Sequence, residues 1–142
     1  MKIAIANDHH GIELKGKIIN YFLKNNIDYV NLGCDEENNV DYVDYAKALC
    51  DSIKSGETNY GILICGTGIG MSIAANKVEG IICAKVNTPR EAKLCKEHNM
   101  ANVMSLAEYT ENLEEILDAF INTNYSTEER HLRRFEKIKN LK

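Results

Sequence analysis

The chain has 142 residues, enough for a sizeable core, and sets 17 lysines and arginines against 21 aspartates and glutamates for a net charge of −4. That balance leaves no broad basic surface and argues against a nucleic-acid partner, while no apolar run nears the roughly 18 residues of a membrane span. Five cysteines fall singly with no Cys-x-x-Cys pair, which reads as a reducing cytoplasm and neither a disulfide framework nor a zinc site.

In chain order, residues 2–6 alternate as a first strand and end in the polar turn Asn7-Asp8-His9-His10-Gly11. Residues 12–24 repeat apolar side chains at helical spacing, and 27–32 alternate as a second strand closed by Gly33. A polar loop covers 34–41, and a second helix is expected over 42–55, stopped by Gly56. Ile62-Leu63-Ile64, too short for a helix, reads as a strand buried on both faces. A helix beginning near Met71 follows the glycines, and 81–84 is a fourth strand. Thr88-Pro89-Arg90-Glu91 is a strong helix start running to about residue 97, residues 102–105 form a fifth strand, and 113–121 a fifth helix. Ser126-Thr127-Glu128-Glu129 reads as a capping box for a last helix, with Leu132, Phe135, Ile138 and Leu141 as its packing stripe. The opening residues turn polar too early for a secretory signal. One domain over 1–142 is expected.

Regular alternation with short connections implies a parallel sheet covered on both faces, a Rossmann-like three-layer α/β sandwich of five strands. Ligands in such folds sit beyond the carboxyl ends of the strands. Asp8-His9 and Cys65-Gly66 both fall there and are expected on one rim.

The stretch Cys65-Gly66-Thr67-Gly68-Ile69-Gly70-Met71 joins a buried strand to a helix N-terminus through a tight turn. Such a junction aims unpaired N–H groups at one point and favours negative charge there. Cys65 at its lip is suited to be a thiolate base or nucleophile. Read alone, it is by default a small core residue. A dinucleotide fingerprint fails because Gly70 comes one residue early and the acidic partner is missing, and a P-loop fails for want of Gly-Lys-Ser/Thr. A cysteine phosphatase loop needs arginine where Met71 stands. His9 and His10 are by default turn residues, and Asp8 a helix cap. Arg130 and Arg134, one turn apart, form either a solvated basic face or a forked grip for phosphate.

Ile-Leu-Ile-Cys-Gly-Thr-Gly-Ile-Gly-Met-Ser-Ile-Ala-Ala-Asn-Lys over 62–77 closely resembles the signature of ribose-5-phosphate isomerase B, in the group that also holds galactose-6-phosphate isomerase. The likeness continues in Asp8-His9, Asp41-Tyr42, His98-Asn99, Asn102-Val103 and Arg130-His131 with Arg134. It implies an aldose–ketose isomerase that needs no metal or other cofactor and works through a cis-enediolate. Cys65 is then the base between C1 and C2, and Thr67 with Gly66, Gly68 and Gly70 holds the enediolate oxygens. His98 opens the furanose ring with Asp8 assisting and Asn99 beside it. Tyr42 falls among the substrate-binding residues, and His9, Arg130 and Arg134 match phosphate-binding positions. A second subgroup has glutamate at the position of Met71, so this chain falls with the cysteine subgroup. The resemblance further implies homodimers or dimers of dimers with shared sites, the C-terminal helix extending to the partner. Two positions depart from the pattern, Val43 for a usual proline and Tyr109 for a frequent arginine. The second bears on pentose against 6-phosphohexose preference, and a catalytically inactive phosphosugar binder is the remaining alternative.

Overall fold

A computed structural model describes residues 1–141. The elements alternate as β1 (Lys2–Asn7), α1 (Ile12–Lys24), β2 (Asp28–Asn31), α2 (Tyr42–Lys54), β3 (Tyr60–Cys65), α3 (Ile69–Asn76), β4 (Cys83–Lys85), α4 (Pro89–Glu97), β5 (Val103–Ala107), α5 (Leu113–Asn122) and α6 (Glu129–Lys139), with a 3-10 turn at His9–Gly11. The strands form one parallel sheet in the order β2-β1-β3-β5-β4.

Strand alternation sorts the core into two layers. Ile3, Ile5, Ile62, Ile64, Met104 and Leu106 face Leu14, Ile18 and Phe22 of α1, Ala92 and Cys95 of α4, and Ile116, Leu117 and Phe120 of α5. On the other face Ala4, Ala6, Leu63, Cys65 and Val103 meet Ala46, Leu49 and Cys50 of α2 and Met71 and Ala75 of α3. The small alanines of β1 let α2 lie close. Because β1 passes through α1 to one side and β3 through α3 to the other, the chain leaves these neighbours in opposite directions. Their carboxyl ends therefore border an open crevice, the place such sheets offer to a ligand.

The structure moves several expected boundaries. The fourth strand begins at Cys83 because the Ile82 N–H donates to Asn102 Oδ1 at 2.8 Å and not to a strand. The fifth runs on to Ala107, where it pairs with Cys65. Thr88 caps α4 as expected, accepting the Glu91 N–H at 3.1 Å, while Glu91 takes the Asn87 N–H at 2.7 Å. The second capping box does not form. Ser126 Oγ accepts the Glu128 N–H at 3.0 Å in a local turn, and α6 starts at Glu129 with no side-chain cap. Nor is the expected stripe of α6 packed: Leu132, Ile138 and Leu141 are 42%, 45% and 77% exposed, and the helix buries only His131. No helix among the described residues is long and apolar enough to cross a membrane.

Candidate active site

The crevice is built from two strand ends. After β1 the Asp8 N–H donates to Ile64 O at 3.1 Å, tying the turn to β3. Asp8 is buried and its carboxylate accepts the His10 N–H at 2.9 Å, so the cap reading of this residue holds. Gly11 is glycine because a Cβ there would stand 2.8 Å from both Asn7 Cβ and Ile64 Cγ2. His9 Nδ1 accepts the Val40 N–H at 3.2 Å, an acceptor role that leaves the proton of the neutral ring on Nε2. Lys15 anchors the loop that brings Val40 there: its buried ammonium donates to Cys34 O at 2.7 Å and Asp35 Oδ1 at 2.5 Å. Lys15 and Asn31 hold the Asp35 carboxyl below the usual value through hydrogen bonds. The His10 ring lies tilted by 39° against that of His9, with ring centres 4.2 Å apart, and reaches Glu108 Oε2 at 3.4 Å.

After β3 the chain turns on Gly68, whose φ of +79° belongs to the left-handed region. That turn folds the Gly68 N–H back onto Cys65 Sγ at 3.2 Å. Thr67 Oγ1 accepts the Ile69 N–H at 3.2 Å. The amides of Gly70 and Met71, in the first turn of α3, have no acceptor among the described residues. A Cβ on Gly70 would stand 2.7 Å from Tyr42 Cζ, so the Tyr42 ring lies directly against this turn. Cys65 is 5% exposed at the end of β3, next in the chain to the Ile64 carbonyl that Asp8 holds. Its carbonyl accepts the Glu108 N–H at 3.0 Å. A sulfur beside a free helix N-terminus can take and return a proton while the amides hold an adjacent oxyanion.

The other cysteines are unsuited to that work. Burial pushes the thiols of Cys50 and Cys95 up to about 11 and that of Cys83 higher still. Cys34 is buried, with its thiol donating to Glu36 O at 2.8 Å. All five are free. No group of three or more histidine, cysteine or acidic side chains suited to a metal occurs among the described residues.

A second group lies elsewhere. His98 closes α4 and stacks face to face on His131, 4.3 Å between centres and 10° between planes. With Asn99, Arg134, Phe135 and Ile138 they line a cleft of about 210 Å³. Arg130 is already engaged, its Nε donating to Glu128 Oε2 at 2.9 Å, whereas Arg134 has no carboxylate partner among the described residues. Burial, then His98 and the Arg130 guanidinium, lower the pKa of His131.

These two groups sit at opposite ends of the sheet. Cys65 pairs with Ala107 at the carboxyl rim, while α4 runs back so that His98 ends beside the start of β5, where Val103 pairs with Gly61. A strand of this length spans roughly 17–20 Å. Asp8, His9, Tyr42, Cys65, Gly66, Thr67, Gly68 and Gly70 are thus brought together, and His98, Asn99, Arg130 and Arg134 form the other set. The profile of the ribose/galactose isomerases matches residues 3–138. The chain belongs to the ribose/galactose isomerase family. Among its relatives, ribose-5-phosphate isomerase B of Escherichia coli is 36% identical over 140 residues, covering 96% of this chain and 93% of that one. The ribose 5-phosphate isomerase of Thermotoga maritima superposes with a TM-score of 0.93 at 45% identity, covering 99% and 98% of the two chains. Ribose-5-phosphate isomerase B of Mycoplasma genitalium, solved with bound ribulose-5-phosphate, gives 0.90 at 38% identity over 97% and 93%.

Within this isomerase family member, three residues of the two groups carry no local signal of their place there. His131 stands in the sequence only as part of the matching set Arg130-His131 with Arg134. Its stacking on His98 needs the fold of the 123–128 connection, which no local pattern announces. Likewise His10 and Glu108 meet only because β1 and β5 flank β3.

Proposed function

We propose that the chain interconverts D-ribose 5-phosphate and D-ribulose 5-phosphate. The observation that carries the reading is Cys65 Sγ at the β1/β3 crevice, accepting the Gly68 amide at 3.2 Å beside the unpaired amides of α3. Cys65 removes the C2 proton of the open-chain aldose and returns it to C1. The amides of the 66–71 turn and the Thr67 hydroxyl hold the oxygen charge of the cis-enediolate between those steps, a role worth ~3–4 kcal/mol per donor in comparable sites. Placement of the base against the carbon matters first, and the rigid strand end supplies it.

Ring opening is assigned to His98, aided by Asp8 with Asn99 alongside, and phosphate binding to His9, Arg134 and Arg130. His98 and Cys65 stand at opposite rims of one chain, so the reading requires a second copy that brings its His98–Arg134 cleft to the first copy's crevice. Two features support this. The apolar stripe of α6 is bare, and on the Cys65 side Val43 and Ile73 are 51% and 62% exposed along a cleft of about 600 Å³ between α2 and α3. The partner's C-terminal helix is the occupant we assign to that side. Five free thiols suit a reducing cytoplasm, where we place the enzyme.

The test is ketose formation from ribose 5-phosphate, allose 6-phosphate and galactose 6-phosphate, alongside direct binding of each. Turnover of ribose 5-phosphate above the two hexose phosphates is expected. Faster hexose turnover would move the substrate to a 6-phosphohexose, and tight binding without any ketose would leave a phosphosugar binder.

A further inference from the structure

Lys96 is a charged side chain buried where the proposed chemistry does not use it. It points inward from the last turn of α4 and is 2% exposed. Its ammonium donates to Phe120 O at 2.8 Å, one of the carbonyls that α5 leaves unpaired at its end. The same nitrogen lies 4.1 Å from the centre of the Tyr60 ring, 4.9 Å from Phe120 and 5.6 Å from Tyr125, all within reach of a cation–π attraction. Burial lowers its pKa to about 8, which still leaves it mainly charged near neutrality.

The three rings come from β3, the end of α5 and the connection between α5 and α6. That connection is fastened twice more, once to the end of α4 and once to the turn that follows it. The Ser126 N–H donates to Glu97 O at 3.0 Å, and the Tyr125 hydroxyl to Ala101 O at 3.2 Å. Helix α6, which carries Arg134, buries nothing of its own except His131. Its placement beside His98 therefore depends on how the connection is held.

We infer that Lys96 is a positioning residue: by gathering Tyr60, Phe120 and Tyr125 around its ammonium, it docks the 123–128 connection on the end of α4 and so sets Arg134 against His98. The inference rests on reading that cleft as the phosphate-binding half of the isomerase site. An apolar side chain of similar length fills the volume but offers neither a donor to Phe120 O nor a charge to the rings. A guanidinium supplies both.

The test compares Lys96→Met and Tyr125→Leu with their conservative counterparts Lys96→Arg and Tyr125→Phe. Tyr125→Leu leaves the ammonium its Phe120 and Tyr60 partners, so it stands in if Lys96→Met does not fold. We expect KM for ribose 5-phosphate to rise about fivefold or more in the first pair, and to stay within about twofold in the second. Ring signals of His98 and His131 in NMR spectra should shift in the first pair only. Iodoacetamide should alkylate Cys65, at the far rim, at the wild-type rate in all four. A wild-type KM with unmoved histidine signals in Lys96→Met or Tyr125→Leu overturns the inference, as does failure of both conservative variants to restore them. The histidine signals need no turnover: a wild-type chain that makes no ketose refutes the isomerase reading and leaves the positioning role to be judged by those signals.

Discussion

Gly68→Ala tests the geometry of the crevice with numbers taken from the turn itself. At a φ of +79° any L side chain costs about 1–2 kcal/mol. The added Cβ would also stand 2.9 Å from Leu106 C and 3.2 Å from Ala107 N, backbone atoms of β5. Those atoms belong to a strand laddered to β3 at Ile64 and Cys65 and cannot step aside. Overpacking of that kind adds about 1–3 kcal/mol, for a total loss of about 2–5 kcal/mol. Gly56→Ala is the control, since its φ is +84° but nothing lies within 4 Å of an added Cβ. It should cost only the conformational part, about 1–2 kcal/mol. Urea unfolding at matched m-values measures both. Because the Gly68 N–H is the group that reaches Cys65 Sγ, Gly68→Ala should also lose at least about tenfold in kcat, while Gly56→Ala keeps the wild-type rate. Equal urea midpoints for the two variants would refute the argument that β5 fixes the turn, and a wild-type kcat in Gly68→Ala would remove the turn from the chemistry.

Cys65→Ala should abolish ketose formation yet bind ribose 5-phosphate within several-fold of wild type by calorimetry; retained turnover rules out the thiolate base. Arg134→Ala should raise KM by about tenfold or more and Arg130→Ala by less, because Arg130 is already held by Glu128 at 2.9 Å. The reverse order would reassign the phosphate grip. The lowered pKa of His131 means that the unfolded chain takes up its proton first as pH falls. Stability should therefore decline as pH drops below about 6.5 towards the lower folded value, and the decline should be shallower in His131→Asn. Identical slopes in urea midpoint against pH would dissociate His131 from that loss.

The layers of the sandwich were legible because each strand and helix carries its own period. Ile62-Leu63-Ile64 announces a strand buried on both faces, and Leu14, Ile18 and Phe22 announce one helix face, both as found. The rim holding Asp8 and Cys65 followed from topology alone. Less legible were features settled by long-range partners. Ile82 leaves the strand because an asparagine 20 residues away takes its N–H. Ser126 has the right residue type for a cap, but the Ser126 N–H is bonded to Glu97 O, and its hydroxyl is used one residue early, by the Glu128 N–H. The stripe of α6 was visible as a pattern, whereas its bareness depends on what the rest of the chain leaves uncovered.

The separation of Cys65 and Arg134 to opposite ends of one subunit has a genetic consequence. Under the shared-site reading, an allele that lacks the thiol and is dead, and one that lacks the guanidinium and has a raised KM, repair one another when co-expressed. A mixed pair assembles one centre with both defects and one with neither. At substrate well below the raised KM, equal random pairing should restore roughly a quarter of the normal rate from two parents that each turn over little of it.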